Sequence, residues 1–286
     1  MLVKKLTFDK DDRVFFVGDV HGRYTLLMEQ LNNVGFDIKR GDKLISVGDL
    51  IDSGFENDQT LSLISEPWVD VAEGNHEKMM RTATKNMTKK DFEIISSFLI
   101  DQNGLQKLQD IKDDIAGEEV HHEVGNTLSP AEIMWISNGG AWFYDVFETK
   151  GFKYRKAQAD FLASAKLPLA IEVHHPLGLV GVVHAGIKSN NWNMVGAIAR
   201  IRPSQLLWMR DHITAFEEGR SNAYKAGFVK GVDALVVGHS IPRGNVPLVL
   251  ANTMYIDVNA KAGKAPFVIE IRELLKAVFT VGLKTG

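Results

Sequence analysis

Val14-Phe15-Phe16-Val17-Gly18-Asp19-Val20-His21-Gly22 opens a segment that runs to Glu77 and repeats its own pattern twice. Leu44-Ile45-Ser46-Val47 leads into Gly48-Asp49-Leu50-Ile51-Asp52, and Trp68-Val69-Asp70-Val71-Ala72 leads toward Gly74-Asn75-His76-Glu77. Short apolar or β-prone runs closed by glycine suit buried parallel strands. Helical spacing fills the gaps, over residues 25–31 and 58–64. Strand, turn, helix and strand in repetition make a βαβ series, which brings all three turns to the carboxyl edge of one sheet. Asp19, His21, Asp49 and Asn75 then converge on one crevice. Oxygen and imidazole donors of this kind suit a hard or borderline divalent ion. A single aspartate after a strand is ordinarily a helix cap. Three such turns in register are not explained by capping, and their glycines let backbone approach a small ligand.

The bulk properties bound the class. A chain of 286 residues, 45% hydrophobic and 24% charged, is an ordinary globular composition. It has no cysteine, which removes thiolate nucleophiles and Cys-ligated zinc. A formal net charge of −3 gives no basic field for nucleic acid or an anionic membrane. Residues 1–12 lack the apolar stretch of a signal peptide, and no run is long enough to span a bilayer. A cytoplasmic enzyme is expected.

Beyond residue 76 a helix should continue to about residue 87, after which the strand pattern stops. Phe92, Ile95, Phe98 and Leu99 form one apolar stripe, and Leu105, Leu108, Ile111 and Ile115 a second. Residues 117–128 read as a polar loop. Ser129-Pro130-Ala131-Glu132 has the capping residue, first-turn proline and glutamate of a helix start. That helix delivers Asn138-Gly139-Gly140-Ala141-Trp142 to a loop. Residues 88–167 read as a helical cap inserted into one domain that spans the chain, with the loop lining the cleft. The sheet resumes at residues 169–173 and 179–183, and helices follow over 192–199 and 203–211. Close turns make the later runs, 234–237, 246–250, 254–258 and 267–271, look like an antiparallel second sheet.

The three motifs resemble those of the metallophosphoesterase superfamily. Its phosphoprotein phosphatase branch carries Gly-Asp-x-His-Gly, Gly-Asp-x-x-Asp-Arg-Gly and Gly-Asn-His-Glu. Within that branch the chain resembles the small phage lambda-type and bacterial serine/threonine protein phosphatases. Val183-His184-Ala185-Gly186 and Gly238-His239-Ser240 extend the match, which covers residues 14–81 and most of 178–258. The fold this implies is α/β, a two-sheet sandwich flanked by helices.

The resemblance also implies roles. Asp19 and His21 hold one metal, Asp49 bridges two, and Asn75, His184 and His239 complete the second. The cofactor would be two divalent ions, Mn²⁺ first and Fe or Zn²⁺ as alternatives, whose shared hydroxide attacks phosphorus. His76 would be the general acid with Asp52 orienting it, and Asn75 would also face the phosphate. The family's arginine after Asp52 is Ser53 here. Arg210, in Leu206-Leu207-Trp208-Met209-Arg210, matches a second family arginine, and Arg23 and Arg243 are candidates to replace the missing one. The expected activity is a metal-dependent phosphoric monoester hydrolase of the protein-serine/threonine phosphatase type. Its substrate would be a phosphoprotein or a small phosphomonoester, with no nucleic-acid or membrane partner. The alternatives are a diadenosine tetraphosphatase-type hydrolase and a catalytically weakened phosphoprotein-binding module.

Overall fold

Val3–Thr7 forms β1, a strand that the sequence pattern does not announce. The next three strands arise where the glycine-closed runs place them: β2 (Val14–Val17), β3 (Lys43–Ser46) and β4 (Val69–Val71). They lie parallel, with Phe16 opposite Ile45 and Ser46 opposite Val71. Helices α1 (Tyr24–Asn33) and α2 (Asn57–Ser62) connect them. The computed structural model describes residues 1–101, 104–113, 118–146, 148–220 and 227–285.

The later strands are allotted differently from the sequence expectation. Strands β5 (Ala170–His175) and β6 (Gly178–Val183) do not rejoin the first sheet. With β7 (Ala234–Val237), β8 (Leu248–Leu250) and β9 (Thr253–Tyr255) they build a six-stranded sheet in the order β1-β5-β6-β7-β9-β8. This sheet is mixed. The pairs β1/β5, β6/β7 and β7/β9 are parallel, whereas β5/β6 and β8/β9 are antiparallel. Strand β10 (Val268–Glu270) instead joins the first sheet, antiparallel to β2.

The inner faces of the two sheets make the core. Val14, Phe16, Ile45 and Val47 pack with Ile171, Val173, Val180, Val182 and Val236. Each side chain of this size is worth about 1.5–3 kcal/mol when fully buried. The outer face of the six-stranded sheet is covered by α9 (Val195–Ile201), α10 (Pro203–Trp208) and α11 (Asp211–Glu217), through Val195, Ala199, Leu206 and Ile213. The last helix, α12 (Ile271–Thr285), sends Ile271, Leu274 and Val278 into the inter-sheet core.

Residues 1–75 and 167–286 form one compact unit and residues 76–166 a second. Helix α3 (Asn75–Ala83) starts at the boundary. The second unit is built on α4 (Lys89–Ile100), α5 (Gly104–Lys112), α6 (Glu118–Thr127), α7 (Pro130–Ser137) and α8 (Phe152–Ala165). Helix α6 occupies most of the stretch read as a polar loop, while Ile115 and Gly117 lie outside the described residues. The capping box of α7 forms as its sequence predicts, with Ser129 Oγ accepting from Glu132 N and Glu132 Oε2 from Ser129 N. Phe92, Trp135, Phe143 and Tyr144 make an aromatic cluster with ring centroids 5.3–6.2 Å apart. Trp142 is buried within this unit under the Arg155 guanidinium, 5.0 Å from its ring. Its side chain is therefore a core residue of the helical unit. Among the described residues, no helix is long and apolar enough to cross a membrane.

One buried carboxylate ties β5 to its surroundings. Glu172 accepts hydrogen bonds from Trp192 Nε1 at 2.7 Å and His174 Nε2 at 2.6 Å, and pairs with Lys5 Nζ at 2.9 Å. Burial alone would raise its pKa, but the bonds from Lys5, Trp192 and His174 together hold it down to about 2. A carboxyl lowered on folding stabilises the protein above its unfolded pKa of about 4.3 and loses that contribution as pH falls toward 2. Allowing for solvent around Lys5, Glu172→Gln should cost about 1–2 kcal/mol at neutral pH. Denaturation of both proteins from pH 7 to pH 2 checks this: the deficit should shrink through the acid range, and a constant offset would contradict it.

Candidate metal centre

Strands from both sheets end at one place. From the first sheet, β2 leads to Asp19 and His21, β3 to Asp49, and β4 to Asn75. From the second, β6 leads to His184, β7 to His239 and β9 to Asp257. All of these side chains are buried. Asp49, His184 and His239 offer ligand atoms that lie within 4.8 Å of one another.

The hydrogen bonds fix what each ring nitrogen presents. His184 Nδ1 lies 3.0 Å from the Val47 carbonyl oxygen, so it carries the proton and Nε2 presents a lone pair. That Nε2 faces Asn75 Oδ1 at 2.7 Å and Asp49 Oδ2 at 3.3 Å. His21 Nδ1 lies 3.1 Å from the Ile51 carbonyl, turning its Nε2 toward Asp19 Oδ2 at 3.9 Å and Asp49 Oδ2 at 4.0 Å. Lone pairs gathered so closely repel unless a cation lies among them. A donor set of carboxylates, an amide oxygen and imidazoles fits divalent ions of the Mn²⁺, Fe or Zn²⁺ kind.

The carboxylates give the same answer. Burial, then the neighbouring charges of Asp257 and Asp49, push the Asp19 carboxyl well above the usual range. Asp257 is raised as well, by burial first and by Asp49 among its neighbours. The two carboxyls thus crowd one another, a repulsion that a cation between them would relieve. Asp257 is a residue that the sequence reading missed. It follows the apolar Thr253–Tyr255 run as Asp19 and Asp49 follow theirs, but without a leading glycine.

Backbone strain concentrates at this edge. His21 (φ 49°), Asp49 (φ 53°), Asp52 (φ 77°), Ser53 (φ 68°) and His239 (φ 62°) all adopt the left-handed conformation that non-glycine residues avoid. The Asp52–Gly54 turn is held by Asn57, a second residue missed in the sequence. Asn57 Oδ1 accepts from Asp52 N, and its Nδ2 donates to the Gly54 carbonyl, each at 2.7 Å. The glycines matter through close approach. A Cβ at Gly48 would stand 2.4 Å from Gly74 N, and one at Gly238 would stand 2.0 Å from Asp19 Oδ1.

The remaining candidates are placed as follows. His76 is buried in the first turn of α3, directly after Asn75. Arg23 is half-buried. Its guanidinium lies 5.9 Å from the Phe55 ring, two residues beyond Ser53, and its Nε donates to the Ala260 carbonyl at 3.4 Å. Arg210 and Arg243 have exposed side chains, and among the described residues neither is tied to the cluster by a side-chain hydrogen bond or ion pair. The Arg243 backbone N–H donates to Glu217 Oε1.

The family model for calcineurin-like phosphoesterases matches residues 12–242. Serine/threonine-protein phosphatase 1 of Salmonella typhimurium is 26% identical over 250 residues, 87% of this chain and 88% of that protein. Serine/threonine-protein phosphatase 2 of Escherichia coli is 28% identical over 255 residues, 89% and 91% of the two chains. A mutant cold-active protein tyrosine phosphatase of known structure superposes with a TM-score of 0.50 at 15% identity, over 94% of this chain and 78% of the other. That last likeness is one of fold.

Gly238→Ala isolates the carboxylate geometry from the charges themselves. The added methyl group must displace Asp19 Oδ1, so divalent-ion affinity should fall on the order of 10-fold or more, the range of a disturbed ligand environment. Calorimetric Mn²⁺ titration of wild type and variant, with circular dichroism to confirm folding, is the measurement. Unchanged affinity in a folded variant would mean that Asp19 takes no part in binding.

Proposed function

The chain belongs to the calcineurin-like phosphoesterase family, and on that premise we propose that it is a two-metal phosphomonoesterase acting on phosphoserine and phosphothreonine in proteins. The observation that carries the reading is the approach of His184 Nε2 to both Asn75 Oδ1, at 2.7 Å, and Asp49 Oδ2, at 3.3 Å. The two named bacterial relatives, both serine/threonine-protein phosphatases, support the substrate class.

In this reading Asp19 and His21 hold one ion, Asp49 is shared, and Asn75, His184 and His239 hold the other, with Mn²⁺ the proposed metal. When bound, such ions acidify a water and neutralise charge on the phosphoryl oxygens. The chain's own groups do the rest. The Val47 and Ile51 carbonyls keep His184 and His21 in the tautomer that leaves Nε2 free of its proton. The His239 backbone N–H orients Asp19, donating to its Oδ1 at 3.2 Å and Oδ2 at 3.1 Å. His76 gives a proton to the departing alkoxide, with Asp52 as its supporting carboxylate. The helical unit is assigned to substrate selection and the cytoplasm to the place of action, where phosphoproteins are produced.

A metal-loaded substrate panel tests the proposal by kcat/KM on a phosphoserine peptide, nitrophenyl phosphate, diadenosine tetraphosphate and a cyclic nucleotide. The phosphopeptide should exceed both nucleotides, and faster cleavage of diadenosine tetraphosphate would replace this reading. On the same panel His76→Asn should cost phosphoserine about 10²–10⁴-fold and the nitrophenyl ester far less, because that leaving group needs little protonation. Equal losses would remove His76 from the acid role.

The arginine missing at Ser53 yields a second test. Arg23 rests against Phe55 in the Ser53 loop, which favours it over the exposed Arg243 as the phosphate-gripping replacement. A charge-assisted bond of this kind is worth roughly 1.5–3 kcal/mol, so Arg23→Ala should lower kcat/KM by about 10-fold or more. Ser53→Arg should give no gain, since a second guanidinium would crowd the first. A silent Arg23→Ala with an improved Ser53→Arg would show that the position has no substitute.

A further inference from the structure

Helix α9 (Val195–Ile201) departs from the rule that a flanking helix turns its apolar side inward and a polar side to solvent. Val195 and Ala199 face the core as the rule asks. Ile198 packs beside them, partly buried against the same core, and next to it Met194, just before the helix, Ala197 and Ile201 recur at i, i+3 and i+7 as an exposed apolar stripe. Ile201 is 73% exposed and Met194 46% exposed. Such a stripe gains nothing from solvent.

The stripe floors an open groove of about 400 Å³, whose walls carry Lys188, Arg202 and Gln205. Its lining holds two cations and no carboxylate. Arg202 makes no ion pair among the described residues, and Lys188 reaches Asp211 at 3.3 Å in a pair exposed on both sides. Such exposed pairs are weak and readily exchanged. A cationic, apolar groove thus stands out on a chain of net charge −3.

The groove is tied to the metal centre by short lengths of chain at two points. Lys188 lies four residues beyond His184, a reach of at most about 14 Å even for extended chain. Gln205 lies three residues before Trp208 on α10, an axial rise of about 4.5 Å. The Trp208 ring meets that of His239 edge-on, with centroids 5.7 Å apart. Four or five extended residues of a peptide cover the greatest span that can separate His184 from Lys188.

We propose that this groove docks the flank of the phosphoprotein substrate, as an extended segment presenting a large apolar side chain beside carboxylates. The proposal rests on the protein-phosphatase reading and names the substrate sequence that reading leaves open. The stripe takes the apolar side chain, and Lys188 and Arg202 take the carboxylates. The open form, without a convergent set of buried polar groups, suits a chain segment better than a small enclosed ligand.

The test uses phosphoserine peptides whose flank is acidic and apolar, basic and apolar, or acidic without the apolar residue. They are assayed on the Mn²⁺-loaded wild type, Ile201→Ser and Arg202→Glu, with nitrophenyl phosphate as a substrate too small to reach the groove. Both positions are exposed, so both variants should fold. On the acidic, apolar peptide each variant should lose on the order of 10-fold in kcat/KM, chiefly through KM, and keep its nitrophenyl phosphatase activity. Anisotropy of the same fluorescent peptide without phosphate reads the groove independently of catalysis. It should bind wild type and not Arg202→Glu. Equal use of the three flanks, or peptide binding unaffected by both substitutions, would overturn the groove. Wild type inert toward every phosphate ester, yet binding the peptide, would instead overturn the phosphatase reading.

Discussion

Mutual repulsion among buried acceptors is the constraint around which this molecule is arranged. His184 Nε2 points at Asn75 Oδ1 across 2.7 Å and at Asp49 Oδ2 across 3.3 Å. Asp19 and Asp257 crowd in beside them, each pushed up by burial and by carboxylate neighbours. Folding gains nothing from such a cluster by itself, because burying charge is costly. The cost is tolerable only if the rest of the sandwich holds these groups in place and a cation compensates them. The extensive apolar core between the sheets supplies the first condition, and a divalent metal would supply the second.

The way the sheets converge explains how so many donors reach one point. A parallel strand ends in a carboxyl-edge turn, and a βαβ series places successive turns side by side. Here β2, β3 and β4 do so in one sheet, and β6, β7 and β9 do so in the other. Had β9 been antiparallel to β7, Asp257 would have emerged at the far edge. The left-handed backbone at His21, Asp49 and His239 has the same origin. Each residue must reverse the chain at once after a strand and still aim its side chain back into the crevice.

The glycine-led motifs made much of this legible from sequence, since helix capping alone does not produce three strand-end turns of one chemistry. Their strands, and the helices between them, lie close to where periodicity placed them. Strand β1 escaped because it carries Lys4 and Lys5 among five residues, the polar character of an exposed edge, and so lacks a strand's usual apolar signature. Helix α6 shows few apolar residues, and only Val124 marks its inward face among the described positions. Membership of β5, β6 and β10 in one sheet or the other is decided by distant pairing, about which local periodicity is silent. Asp257 and Asn57 were missed because neither sits behind a glycine, and because Asn57 acts through the backbone of its neighbours.

Departures from local rules are informative in a chain that otherwise obeys them, because natural sequences break such rules mainly where function compensates. Two kinds of departure stand out here, and they differ in character. Left-handed backbone at the metal centre is a strain that the surrounding fold imposes on residues whose chemistry cannot be exchanged. The outer stripe of α9 is not strained at all. Serine, lysine or glutamate at Ile201 or Met194 would satisfy the helix and the solvent equally well. Nothing in the folding of this unit therefore requires apolar residues there. The strained positions belong with the chemistry common to phosphate esters, whereas the unforced stripe belongs with the choice among them. A hydrolase whose metals act on phosphate esters alike needs such a second surface to prefer one phosphoprotein over another. The groove begins at Lys188, four residues beyond His184, and a preference exerted there would act on binding while leaving the chemical step unchanged.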